Sequence, residues 1–222
     1  MKNIKQIIGS LLIWLLLASP VFAAGLTPNL MNENCNDITS WTDADSGTAV
    51  SEVSPAGWFK FTTGATINSN AVRTKIISTP PANFTLEIKL TMTAGGGSVD
   101  RMACAYGSTT WRLALRWHTG GMFITNSAGV ATEVGTDIVS IPSTVVWRIQ
   151  VTNQSTCEVF KDGVSQASGI DCAYGTGFAA DGTINYYQYG ETPNRESSVD
   201  YIRIASGLGA INDSVAPVVN IF

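Results

Sequence analysis

The chain has 222 residues, with 13 lysines and arginines against 17 acidic residues, a single histidine and a formal net charge of −4. That balance argues against a nucleic-acid partner. One histidine and four cysteines, dispersed at 35, 104, 157 and 172, argue against zinc, which needs clustered ligands.

Lys2 and Lys5 precede an apolar run from Ile7 to Leu17, and Val21-Phe22-Ala23 offers a small-x-small end, so residues 1–23 read as a signal peptide. The run is shorter than the ~20 residues a membrane span requires. The mature chain is expected to be secreted or periplasmic, or held at the cell surface. Losing Lys2 and Lys5 leaves 11 basic residues against 17 acidic ones, a balance of −6, on a length that suits one β-domain. In an exported chain an even cysteine count points to disulfides. Three pairings are open, of which Cys157–Cys172 with Cys35–Cys104 is preferred.

A polar lead over 24–31 is followed by a turn-rich stretch anchored by Trp41, and Trp58 to Phe61 reads as a short strand. Phe84 to Met92 alternates Phe84, Leu86, Ile88, Leu90 and Met92 against Thr85, Glu87, Lys89 and Thr91, the period of a half-buried strand. Gly95-Gly96-Gly97 turns that strand into Arg101 to Tyr106. Trp111 to Trp117 alternates again, and Gly120-Gly121 leads into Met122 to Thr125. A softer stretch over 126–143 precedes a long hairpin, in which Val145, Trp147, Ile149 and Val151 alternate with Val146, Arg148, Gln150 and Thr152. Asn153 to Ser155 turn the chain, and the return strand closes on Asp162-Gly163. Thr183 to Tyr189 and Val199 to Ile204 supply the last strands. Roughly nine or ten short strands without helical periodicity mark a sandwich or jelly roll.

The Trp147-Arg148-x-x-Val151 strand, its polar turn and Asp162-Gly163-Val164, followed later by Val199-Asp200-Tyr201-Ile202-Arg203, resemble the concanavalin A-like, laminin-G-like jelly rolls of secreted bacterial proteins. The resemblance implies an all-β, two-sheet antiparallel jelly-roll sandwich of concanavalin A-like type over 32–207. Residues 208–222 would be a linker or tail, and Asp213 to Pro217 looks like linkers that lead into a further module. It also implies a structural calcium at Asp200, for which Asn32, Glu33, Asn36 and Asp37 offer oxygens. The alternative for Asp200 is a sheet-edge cap or a pair with Arg195. No organic cofactor is expected.

If Trp111, Leu113, Leu115 and Trp117 face the core, then Arg112, Arg116 and His118 face outward, and by the same parity so do Arg148 and Gln150. These arginines are expected to floor a cationic patch suited to carboxylates or sulfates. The plainer alternative is solvated arginines paired with Glu87 and Glu158. Tyr187, in the cluster Tyr186 to Tyr189, offers a ring on which sugars stack. The retaining-glycosidase spacing Glu-x-Asp-x-(x)-Glu is absent. Alginate-lyase-like jelly rolls use arginine, glutamine, histidine and tyrosine, types present outward here, but their Gln-x-His motif is missing. The expected function is a secreted carbohydrate-binding or adhesion module that recognises a polysaccharide on one sheet face. Its rivals are a polysaccharide lyase or glycoside hydrolase, and a structural interaction domain of a longer surface protein.

Overall fold

Alternation of large apolar and polar side chains at period two commits each segment to a strand with one buried face, and the segments pair in two antiparallel layers. The computed structural model of the protein describes residues 25–65, 69–92, 102–118, 121–136, 144–189 and 196–212, apart from the side chains of Met92, His118 and Thr136. The leader over 1–23, Arg195 and the segment from Asp213 lie outside the described residues.

In chain order the strands are β1 (Met31–Glu33), β2 (Thr42–Asp43), β3 (Val50–Val53), β4 (Phe59–Thr62), β5 (Ala71–Ile76), β6 (Phe84–Met92), β7 (Met102–Gly107) and β8 (Arg112–His118). They continue with β9 (Gly121–Thr125), β10 (Ala131–Thr136), β11 (Val145–Thr152), β12 (Thr156–Lys161), β13 (Val164–Asp171), β14 (Thr183–Gln188) and β15 (Glu196–Ser206). One sheet runs β13-β12-β11-β6-β15-β4-β3, with β1 also on β15, and the other runs β10-β9-β8-β7-β14-β5-β2. Among the described residues all paired strands are antiparallel and there is no helix, so the fold is an all-β two-sheet sandwich of jelly-roll-like form.

The core lies between the sheets. Phe84, Leu86, Ile88, Leu90, Trp147, Ile149, Val151, Ile202 and Ile204 from one layer meet Met102, Tyr106, Leu113, Leu115, Trp117, Ile124 and Ile184 from the other. Phe84 takes Tyr106 and Trp111 edge-on at centroid distances of 5.3 and 6.0 Å, a favoured ring geometry. The β11–β12 hairpin turns at Asn153 and Gln154, both with φ of 52°, and the β12–β13 hairpin turns at Asp162 and Gly163, with φ of 48° and 82°. Asn, Asp and Gly tolerate that left-handed geometry, which explains why the Asp-Gly corner is visible in the sequence.

The two long edges of the sandwich differ. At the β2/β3/β5 edge, Arg73 donates to the Ser51 carbonyl at 2.9 Å and pairs with Asp43 at 3.2 Å. Nearby, the Trp41 indole and Lys75 both donate to Glu33 at 3.1 Å. At the β10/β13 edge the layers part over an open cleft of about 410 Å³ lined by Glu133, Val134, Gly135, Gln166 and Ala167. Strand pairing reaches beyond 32–207, since Leu26 bridges Ile211 in parallel and its amide donates to the Ala210 carbonyl at 2.7 Å.

All four cysteines are buried thiols in this structure, so neither expected bridge is formed in it. Cys157 on β12 and Cys172, just past β13, nevertheless lie in side-chain hydrogen-bond contact, and that contact with burial pushes the Cys157 thiol far above its usual range. Cys35 sits instead within hydrogen-bond reach of the Phe59 backbone, and Cys104 is enclosed within the core.

Candidate functional site: the outer face of the seven-stranded sheet

Parity places Arg112, Arg116, Arg148 and Gln150 outward, as the alternation requires, but not together. Arg112 and Arg116 stand on β8 of the seven-stranded sheet, whereas Arg148 and Gln150 stand on β11 of the eight-stranded sheet. The two pairs point away from opposite sides of the sandwich, so the single arginine floor expected from the sequence does not form. Period two tells inside from outside, but it does not tell which outside.

On the eight-stranded sheet carboxylates stand among the outward cations. Glu87 of β6 is in register with Arg148 of β11 on one side and Arg203 of β15 on the other, and it accepts the Tyr201 hydroxyl at 3.0 Å. Although outward, Glu87 is only 6% exposed. Arg148 lies over the Phe160 ring at 4.3 Å and Arg203 over the Tyr201 ring at 3.9 Å. Lys60 pairs with Glu196 at 2.9 Å, and Lys89 pairs with Asp200 at 2.5 Å.

Those pairs also bear on calcium. Lys89 holds the Asp200 carboxylate, while Glu33 already accepts from Trp41, Lys75 and the Cys35 amide. A cation at Asp200 has to displace a lysine, and among the described residues no three acidic, cysteine or histidine side chains group as metal ligands. In this arrangement Asp200 and Glu33 are each held by a lysine, Lys89 and Lys75.

On the seven-stranded sheet no carboxylate stands in register with the arginines, whose partners on β7 are Gly107 for Arg112 and Ala103 for Arg116, and among the described residues neither makes an ion pair. Arg116 is in register with Ala103 of β7, and Ala103 with Tyr187 of β14, so arginine and tyrosine flank an alanine across three strands. Ala103 is 0% exposed, as expected if its long neighbours lie across it. Tyr187 meets Tyr189 edge-on at 4.7 Å. Burial, then the hydrogen bond with Tyr189, raises the Tyr187 hydroxyl well above its ordinary range, with Arg116 and Arg112 opposing.

The adjacent row holds the pair Ala114 and Ala105, with Asn185 next on β14 and Thr74 beyond it. On the other flank Ile124 opposes Leu115, which sets Thr125 beside Ala114. Thr125 Oγ1 and Asn185 Oδ1 are both buried without a hydrogen-bond partner. An orphaned buried oxygen costs about 1–3 kcal/mol, so two of them on one row call for an explanation.

The far end of this face is walled by residues that no strand pattern shows. Arg112 lies between the rings of Tyr174 and Phe178, at 4.8 and 5.3 Å, and its amide donates to the Tyr174 carbonyl at 3.1 Å. Thr176, then Arg112, hydrogen-bond the Tyr174 hydroxyl and lower its pKa. The wall is held close because Gly177 packs against the Thr109 backbone, where a Cβ would come within 2.1 Å. At its start, Asp171 accepts from the Ser127 hydroxyl and amide and the Ala173 amide, contacts that lower its carboxyl pKa.

Of the expected ligand residues, the structure thus brings together Arg112, Arg116 and Tyr187. The side chain of His118 lies outside the described residues. Asn185 and Tyr189 follow from the parity of Tyr187 and were legible in principle. Thr125 required the β8–β9 register, and Tyr174 and Phe178 arrive from an irregular segment.

No protein-family model and no curated protein matches the chain. Among solved structures, one from work on endo-acting O-glycanases that human gut bacteria use to initiate mucin breakdown superposes with a TM-score of 0.59 at 14% identity, over 80% of this chain and 98% of its own. A carbohydrate esterase from the Shiga toxin-encoding bacteriophage phi24B gives 0.58 at 12%, over 83% and 100%. A botulinum neurotoxin type C structure, from work on cell entry through two ganglioside molecules, gives 0.55 at 9% over 80% of this chain. This chain spans 48% of that one, about half its length. At these identities the likeness is one of fold.

Proposed function

We propose that the chain is a secreted carbohydrate-binding or adhesion module that seats its glycan on the outer face of the seven-stranded sheet. The observation that carries this reading is the row Thr125, Ala114, Ala105 and Asn185, where two orphaned oxygens flank two small side chains. Sugar hydroxyls can donate to both oxygens, and the alanines let a ring approach the sheet. The rings of Tyr187, Tyr189, Tyr174 and Phe178 border that row with surfaces on which sugar CH faces pack. Arg112 and Arg116 flank Ala114 along β8, one on each side of the row. The solved structures above include proteins that act on or bind glycans, which agrees with this use of the fold. The site lies away from the paired charges of the other sheet.

A glycan array probed with the full mature protein tests the reading. Binding that is lost on Asn185→Leu with unchanged melting supports it. Binding unaffected by Asn185→Leu and Tyr187→Ala moves the site elsewhere.

A further inference from the structure

We infer that the glycan is acidic, and that its carboxylate or sulfate groups are spaced to meet Arg112 and Arg116 along β8. The inference rests on the carbohydrate-binding reading and names the ligand class. Its basis is an internal control. On one face Glu87 stands in register with both Arg148 and Arg203, whereas on the other the residues of β7 in register with Arg112 and Arg116 are Gly107 and Ala103, and neither arginine makes an ion pair among the described residues. The nearest carboxylate in register, Glu133, is two strands from Arg116 with Phe123 between them.

An acidic chain that sets two arginines on one strand with no ion pair among the described residues holds local positive charge where the overall balance is −4. Guanidinium suits carboxylates and sulfates because its planar donors engage two oxygens at once. The spacing adds a restriction. Four residues along one strand separate the two arginines by about 13 Å, longer than one pyranose residue, so the matching ligand is a chain with acidic groups on separated residues. Between them lies the Ala114–Ala105 row with its two orphaned oxygens, where the intervening sugar presents hydroxyls. Arg112, already fixed between Tyr174 and Phe178, is the more rigid of the two anchors.

Calorimetric titration of the full mature chain with hyaluronate oligosaccharides, whose uronates alternate with neutral sugars, tests the inference against their carboxyl-reduced counterparts. The acidic oligosaccharide should bind at least about tenfold more tightly, the worth of one charge-assisted hydrogen bond. That preference should shrink as salt rises from about 50 to about 300 mM, because exposed charges are screened over about a Debye length. Arg116→Gln should remove most of the preference, whereas Arg148→Gln on the opposite sheet should leave it within about twofold. Equal, salt-insensitive binding of both oligosaccharides overturns the acidic ligand while leaving the carbohydrate reading in place. Failure to bind either them or any array glycan overturns both. Single-stranded DNA bound as tightly as hyaluronate, or an equal loss in Arg148→Gln, overturns the inference by showing unspecific attraction of polyanions.

Discussion

The two outer faces of this sandwich carry similar side chains put to opposite ends. Among the described residues each has two arginines and several aromatic rings, yet one face buries Glu87 between its arginines while the other places Ala103 and Gly107 in register with Arg116 and Arg112. The first arrangement is completed by its own carboxylate, which stands in register between the two arginines. The second has no carboxylate in register with its arginines and, among the described residues, two unpartnered buried oxygens, which are features of a surface awaiting a partner. A count of outward arginines does not distinguish the faces. What lies in register with each one does.

The largest effect that could break this contrast is on the completed face. Glu87→Ala removes the buried acceptor of the Tyr201 hydroxyl and leaves Arg148 and Arg203 flanking an uncharged position, so urea unfolding should show a loss of about 2–4 kcal/mol. Arg116→Ala should cost under about 1 kcal/mol. Equal losses would mean that the two faces are energetically alike. Next in size is the thiol pair at the edge of the eight-stranded sheet. We expect non-reducing mass mapping of secreted protein to find Cys157 joined to Cys172, a bridge closing a loop of about 15 residues and adding about 3 kcal/mol. Free thiols at both positions would refute it.

The wall of the ligand face should answer more gently. Gly177→Ala forces a Cβ into the Thr109 backbone and should cost about 1–3 kcal/mol while weakening glycan binding through displaced Tyr174 and Phe178. Stability lost with binding intact would separate the wall from the site.

Titration sharpens the picture of the same face. Ultraviolet absorbance should show Tyr174 ionising below the ordinary tyrosine range and Tyr187 above it, and Arg112→Gln should move Tyr174 upward. At low pH the sign reverses for Asp171. Its folded pKa is depressed, chiefly by the Ser127 hydroxyl, so its hold on that turn is complete above the ordinary carboxylate range and is lost as pH falls through the lowered value. Amide protection at Ser127 and Ala173, taken relative to the intrinsic exchange rate at each pH, should fall there, and Asp171→Asn should abolish the dependence.

The smallest effect expected is none. Because Lys89 holds Asp200 and Lys75 holds Glu33, neither chelator nor added calcium should move the melting temperature. A rise with calcium would show that Lys89 yields its place.

Much of the fold was legible because burial enforces alternation. Phe84 to Met92 is predicted and found as β6 with the same bounds, and the 145–161 hairpin turns at residues that accept positive φ. Strands that escaped notice lack that enforcement. Val164–Asp171 is an edge strand with little buried surface, so its polar sequence carries no period. Ala71–Ile76 hides Arg73 among its buried residues, because an ion pair and a carbonyl at the sheet edge satisfy its charge. The candidate site was half legible for a related reason. Parity exposed Arg112, Arg116 and Tyr187, but their separation from Arg148 and Gln150 depends on strand order, a long-range property. Tyr174 and Phe178 depend on a tight approach at Gly177, which only the assembled chain shows.

The central claim is the choice of face, and amide shift mapping during glycan titration tests it most directly. The account predicts that perturbations gather at Ala103, Ala105, Ala114, Thr125, Asn185 and Tyr187, and that Glu87, Arg148 and Tyr201 stay unmoved. Shifts centred on Glu87 and Tyr201, with Ala105 and Asn185 silent, would contradict it.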